Sequence, residues 1–154
     1  MKYEHIRRAA PADAPRIAEI EVFNYRLNFY PLFRNDEFYF SELQVPSETE
    51  RLLEDESILQ NAYVYDDGVL KGFIIIDGSE VWKLFVEPVL QGQSIGAELL
   101  DYAKEVHNIE FLWVLEKNTR AIKFYEKHGF RATGERISEE GTTEHLVRMR
   151  NINR

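Results

Sequence analysis

The stretch V-E-P-V-L-Q-G-Q-S-I-G, Val86 to Gly96, and 22 residues beyond it the stretch N-T-R-A-I-K-F-Y-E-K-H-G-F, Asn118 to Phe130, decide how the rest of this chain is read. The first ends a strand near Pro88 and turns through a glycine-bearing loop into a helix, whose first backbone N–H groups have no partners within it. Those donors, with the positive end of the helix dipole, suit a diphosphate. The second predicts a helix starting at Asn118 and ended by Gly129, a good left-handed terminator. Tyr125 lies seven residues beyond Asn118, two turns along the same face. A phosphate cradle beside a phenol is what a thioester-activated donor requires.

Working outward, β-branched and aromatic runs from Ala62 to Val86 are punctuated by Asp67-Gly68 and Asp77-Gly78. Each pair signals a hairpin, most simply a type I′ turn, so three antiparallel strands are expected at about 62–66, 69–76 and 80–86. A helix over about 94–106 buries Ile95, Leu99, Leu100, Ala103 and Val106 on one face. Phe111 to Leu115 reads as a buried strand, and two strands near 131–136 and 144–150 close the chain. Upstream, Tyr3 to Arg8 is expected as an edge strand, followed by a helix capped by Asp13 and another running from Pro46 to about Leu59. Between them, residues 23–40 hold eight of the chain's twenty aromatics.

At 154 residues the chain fits one domain spanning 1–154. Its wholly apolar runs, such as Phe73 to Ile76, are too short to cross a bilayer, and the N-terminus lacks the apolar core of a secretory signal. The expected location is therefore the cytoplasm, with no membrane partner. The absence of cysteine removes thiolate metal sites and a covalent cysteine nucleophile, so any group transfer must be direct. The histidines show no metal spacing, and no metal is expected. A net charge of -8 argues against a nucleic-acid partner and would attract a cationic acceptor, although acidity can also serve solubility alone.

Two rival readings of the loop fail on residue identity. A P-loop needs G-x-x-x-x-G-K-S/T, and no lysine follows Gly96; a dinucleotide site needs G-x-G-x-x-G within a parallel unit, whereas the preceding strands are hairpins. Instead, V-x-P-x-x-Q-G-x-S-I-G followed by N-x-x-A-x-x-F-Y-x-x-x-G-F resembles the GNAT superfamily of acyl-CoA-dependent N-acyltransferases, whose loop signature is Q/R-x-x-G-x-G/A. The resemblance runs from about Ala62 to Ala132. It implies a mixed α/β (α+β) fold with a mostly antiparallel sheet of six or seven strands and helices on both faces. Acetyl-CoA is the implied co-substrate.

By the same resemblance, the main chain of Leu84, Phe85 and Val86 pairs with the pantetheine arm, and an N–H there can hold an oxyanion. Gln91, Gly92, Gln93, Ser94, Ile95 and Gly96 form the diphosphate loop, and Asn118 contacts the pantetheine or simply caps its helix. Ser94 departs from the signature, standing where glycine is usual. Tyr125 is expected to donate a proton or hydrogen bond to the departing thiolate. With ordinary pKa values of about 10 for tyrosine and about 8.5 for a thiol, full transfer is uphill by roughly 2 kcal/mol, which favours hydrogen bonding. Glu80 occupies the position from which some family members supply a base, Glu87 and Glu116 being weaker candidates. Lys117, Arg120, Lys123 and Lys127 offer charge for a terminal phosphate, and His128 offers favourable charge at a helix end.

The aromatic segment sits where the family builds its acceptor site, which points to Phe23, Tyr25, Phe29 and Tyr30 as acceptor contacts; core packing or a dimer interface would use the same residues. The leading expectation is acetyl transfer to a primary amine of a small molecule through a ternary complex. A protein or peptide amine and a non-catalytic acyl-CoA sensor are the alternatives. Trp113, five positions before Asn118, stands where ribosomal-protein-type N-terminal acetyltransferases carry an acid, which counts against that subclass. The chain is expected as a monomer or homodimer.

Overall fold

The computed structural model describes residues 2–153. Its centre is a seven-stranded sheet in the order β1-β2-β3-β4-β5-β7-β6, where β1 is Ile6–Arg8, β2 Ala62–Asp66, β3 Leu70–Asp77, β4 Glu80–Val86, β5 Phe111–Leu115, β6 Phe130–Ser138 and β7 His145–Asn151. All neighbours are antiparallel except β4 and β5. The helices are α1 (Ala14–Asn28), α2 (Tyr30–Phe33), α3 (Val45–Glu54), α4 (Glu56–Gln60), α5 (Ile95–His107) and α6 (Thr119–Lys127). The expected mixed α/β fold with a mostly antiparallel sheet is what the chain adopts.

Alternation along β3 explains the two layers. Ile74 and Ile76 enter the core beneath α5, with Leu99, Leu100, Leu112 and Met149, while Phe73 and Ile75 enter the core beneath α1, α3 and α4, with Ile17, Ile20, Leu52 and Leu59. A strand buried on both faces reads as a continuous apolar run, which is why Phe73 to Ile76 carries no polar residue. Burying one such leucine or isoleucine contributes about 1.5–3 kcal/mol.

Several boundaries differ from expectation for local reasons. Tyr3 has φ 63°, so the N-terminal segment turns before β1, which is only three residues long. Asp13 does not cap α1; its carboxylate accepts from the Ala10 N–H at 2.8 Å and from Arg7 at 2.8 Å. The helix expected over 46–59 breaks at Asp55, whose side chain accepts from the Ser57 N–H at 3.1 Å and restarts the chain as α4. At 77–80 only Gly78 has positive φ, the pattern of a type II′ rather than a type I′ turn.

The aromatic segment forms a small core of its own. A π-helical turn at Phe38–Glu42 brings the buried Tyr39 and Leu43 against Val22, with Tyr25, Phe29, Tyr30 and Phe33 packed around them. Arg26 secures this arm, donating to the Tyr39 and Leu43 carbonyls at 3.0 and 3.1 Å. No helix among the described residues is long and apolar enough to cross a membrane.

Candidate active site

The pairing of β4 with β5 stops almost as soon as it starts. Only Glu80 with Phe111 and Val81 with Leu112 are in register, so from Trp82 onward β4 keeps β3 as its sole partner and splays away from β5. The ladder between β3 and β4 is irregular at this point, with Ile75 opposite Lys83 and Ile76 opposite Val81. That extra residue on β4 is a bulge, which bends and twists a strand locally. The resulting V opens into a cleft of about 410 Å³ lined by Leu84, Phe85, Val86, the 91–97 loop and helix start, and the inner face of α6.

At the mouth of the cleft Gly92 has φ 88° and Ser94 φ 67°, so the chain coils through two left-handed positions before entering α5. Glycine adopts this geometry freely and a serine does not, which is the physical reason the signature has glycine at position 94. Ser94 sits at the N-cap of α5, yet its hydroxyl makes no capping bond. The first N–H groups of α5 are thereby left facing the cleft, as a diphosphate site requires. A Cβ on Gly96 would already touch Phe124 and Val86 at 3.6 Å, so a larger side chain there would fill the channel.

From α6, Asn118, Ala121, Phe124 and Tyr125 line the opposite wall, with Arg120, Lys127 and His128 at its rim. Asn118 accepts the Ala121 N–H at 3.2 Å through its carbonyl oxygen, so it caps the helix and keeps its amide NH₂ for the cleft. Tyr125 packs edge-on against Phe124 and Phe130 at 5.3 and 5.8 Å. Burial raises its pKa above the ordinary 10, which keeps the phenol protonated and makes it a hydrogen-bond donor rather than an acid. Burial also lowers His128, leaving it uncharged at neutral pH. Besides Lys127 of the helix itself, Lys104 brings a cation to the end of α6, donating to the His128 carbonyl at 2.6 Å.

The structure thus brings together Leu84, Phe85, Val86, Gln91, Gly92, Ser94, Ile95, Gly96, Asn118 and Tyr125. Gln93 and Lys123 are exposed and do not line the cleft, whereas Arg120 and Lys127 do. Lys117 is engaged with Glu144 at 3.1 Å, and Glu116 with Arg136 at 2.9 Å. Of the weaker base candidates, Glu87 is paired with Arg16 at 2.8 Å.

Glu80 lies at the vertex of the V, about 13 Å of strand from Leu84. Its pKa is raised by burial and by Asp77, against a lowering influence of Arg148. Val81 packs beneath α5, so alternation turns Glu80 toward the opposite face of the sheet, the face that carries α1. Among the aromatics expected at an acceptor site, Tyr25 and Phe29 reach the Phe85 ring at 5.5 and 6.5 Å. Tyr30 packs instead on Tyr39 and Phe40, and Phe23 is exposed on the outer surface of α1. Sequence reasoning missed Asn24 and Asn28, which line the cleft from α1. No motif marks them, because Asn24 meets Val86 and Gln91 far away in sequence and Asn28 bonds to Asn24 itself. Among the described residues no group of three acidic or histidine side chains could hold a metal ion.

The sequence profile described as an acetyltransferase (GNAT) domain matches residues 30–151, so this chain belongs to the GNAT acetyltransferase family. Within that class it is similar to the peptidyl-lysine N-acetyltransferase YjaB of Salmonella typhimurium, with 38% identity over 63 residues, or 41% of this chain and 43% of that protein. The match therefore spans less than half of the relative's length. The fold is similar to the solution structure of apo YjaB from Escherichia coli, with TM-score 0.70, 22% identity and coverage of 96% of each chain. It is equally similar to the PaiA N-acetyltransferase of Thermoplasma acidophilum, solved in complex with coenzyme A, with TM-score 0.71, 22% identity and coverage of 93% of this chain and 96% of that one.

Proposed function

We propose that this protein transfers the acetyl group of acetyl-CoA to the side-chain amine of lysine in a protein or peptide, by direct attack. The observation that carries the reading is the splay of β4 from β5 above a helix N-terminus, with Tyr125 facing the opening. The lysine acceptor is supported by the YjaB relative, whose name specifies peptidyl-lysine, and it replaces the small-molecule amine as the leading expectation. It also agrees with the charge around the acceptor side: residues 34–56 hold eight acidic side chains against Arg34 and Arg51.

Each residue then has a task. The α5 N–H groups and Ser94 loop hold the diphosphate, with Arg120 and Lys127 supplying charge at the rim. Of the main chain of Leu84, Phe85 and Val86, the groups that face the splay hold the pantetheine amides, the Val86 carbonyl being taken up by Asn24, and one N–H there stabilises the oxyanion. A lysine side chain is protonated at neutral pH and must lose a proton before it attacks. Glu80 accepts that proton through a water chain, because its distance along the strand excludes direct contact with an amine poised at Leu84. Tyr125 donates a hydrogen bond to the thiolate as the carbon–sulfur bond breaks. Acetyl-CoA with a panel of lysine peptides and small amines tests the acceptor class. A kcat/KM higher for peptides than for any free amine is expected, and the reverse order would return the acceptor to a small molecule.

A further inference from the structure

The open end of β4 poses a problem that a side chain solves. Beyond Val81 the strand has lost its neighbour on the β5 side, and at Val86, its last residue, the chain must leave the sheet for the phosphate loop. A carbonyl left there would face the cleft without a partner, and the end of the strand would be held from its β3 side alone.

Asn24 of α1 occupies this point. It is 1% exposed, and its amide nitrogen donates to the Val86 carbonyl at 2.9 Å and to the Ile20 carbonyl of its own helix at 2.8 Å. Its oxygen accepts from the Gln91 side chain at 3.1 Å and from Asn28 at 3.3 Å. Gln91 closes the circuit by donating to the same Val86 carbonyl at 3.3 Å. On the other side of that peptide unit, the Glu87 N–H donates to the Lys71 carbonyl of β3 at 2.9 Å. The peptide between Val86 and Glu87 is thus held at both ends, and every hydrogen-bonding atom of the Asn24 side chain is used.

We infer that Asn24 is a positioning residue for acetyl-CoA: its amide takes the place of the strand neighbour that β4 lacks, fixing the last carbonyl of the splay and, through Gln91, the start of the phosphate loop. Affinity for the donor is therefore set in part from α1, the helix that also presents Tyr25 and Phe29 to Phe85. The same network accounts for Gln91, whose amide is spent inside the protein, so that it shapes the cradle instead of lining it with a free donor. An aspartate at 24 would retain the acceptor for Gln91 but set a carboxylate oxygen against two carbonyls. A leucine would remove all four bonds while keeping similar volume.

This inference rests on the cleft being the acetyl-CoA site, and titration calorimetry separates the two claims. Wild-type protein that takes up no acetyl-CoA would refute the site itself. Given wild-type binding, the Kd is expected to rise about tenfold in Asn24→Leu and about threefold in Gln91→Leu, since a lost buried hydrogen bond is worth of that order. The double variant should lose less than the two single losses combined, because both amides serve one carbonyl and bond to each other. With acetyl-CoA saturating, kcat should fall by a smaller factor than kcat/KM for acetyl-CoA, a split that simple loss of stability would not produce. Gln91→Leu alters a loop and leaves both cores intact, so it decides the matter if Asn24→Leu does not fold. A Kd within twofold of wild type in Gln91→Leu, or additive losses in the double variant, would overturn the inference.

Discussion

At Ser94 a residue with a Cβ holds φ 67°, in the region where L-residues pay about 1 kcal/mol, and its hydroxyl returns no capping bond. Ser94→Gly should therefore raise stability by roughly 0.5 kcal/mol, after the glycine's larger unfolded-state entropy is counted, with acetyl-CoA affinity equal or higher. Thermal unfolding with a parallel calorimetric titration checks both, and a lower melting temperature would show that the serine makes a contact of its own. Glu80 gives a pH signature. Its folded pKa is raised, so the native state binds the proton more tightly than the unfolded chain between the usual glutamate pKa and the folded value, and stability falls as pH rises through that window. Catalysis needs the opposite, deprotonated form. The acid limb of kcat/KM should lie above the usual carboxylate range, and Glu80→Gln should lower the rate by about 10²-fold and abolish that limb; an unchanged limb would assign the base elsewhere. Asn118 and Tyr125 were legible in the sequence because motif and spacing fix them on one helix. Asn24 was not, because its meaning comes from carbonyls and amides 62 and 67 residues away.

At the scale of elements, α1, α3 and β4 meet over a buried ion pair. Glu21 of α1 is 1% exposed and binds the ammonium of Lys83, which also lies over the Trp82 and Tyr25 rings at 4.7 and 5.5 Å. Arg51 of α3 stands off at 3.8 Å, and one Glu21 oxygen has no hydrogen-bond partner. Removing one partner of such a pair strands a buried charge, whereas removing both does not. Lys83→Met should cost about 3 kcal/mol in urea unfolding, and Glu21→Gln together with Lys83→Met should recover most of it; equal losses in the single and double variants would show that the packing of the lysine stem matters more than its charge. The hairpins, α5, α6 and the strand β4 were legible because period-2 and helical patterns bounded by glycine and proline specify them locally, whereas the splay of β4 was not, because it depends on how far its pairing with β5 runs. The break at Asp55 and the π-helical turn were not. The first depends on a cap two residues long, and the second on aromatics that pack against α1 from a distance in sequence.

Across the whole molecule, charge is unevenly spread: the arm after α1 is strongly acidic, while the cleft rim carries Arg120 and Lys127. A basic peptide would be drawn to the first and an anionic donor to the second. Raising salt from 0.05 to about 0.5 M shortens the screening length severalfold, so KM for a lysine-rich peptide should rise several-fold while KM for a neutral peptide changes little. Equal salt dependence for both would place the acidic arm outside acceptor recognition. The overall order of strands and helices followed from the sequence because the two motifs lie in the half of the chain that builds the cleft. The acceptor side did not, since aromatic density alone could not say that Tyr39 is buried and Phe23 exposed. The central claim, direct acetyl transfer at the splay with Tyr125 attending the sulfur, is tested most directly by single-turnover kinetics on a lysine peptide with wild type and Tyr125→Phe at saturating acetyl-CoA. The account predicts Nε-acetyl-lysine from the wild type and a rate lowered about 10- to 10³-fold in the variant, with acetyl-CoA affinity nearly unchanged. Full activity without the phenol, or no acetyl-lysine from the wild type, would contradict it.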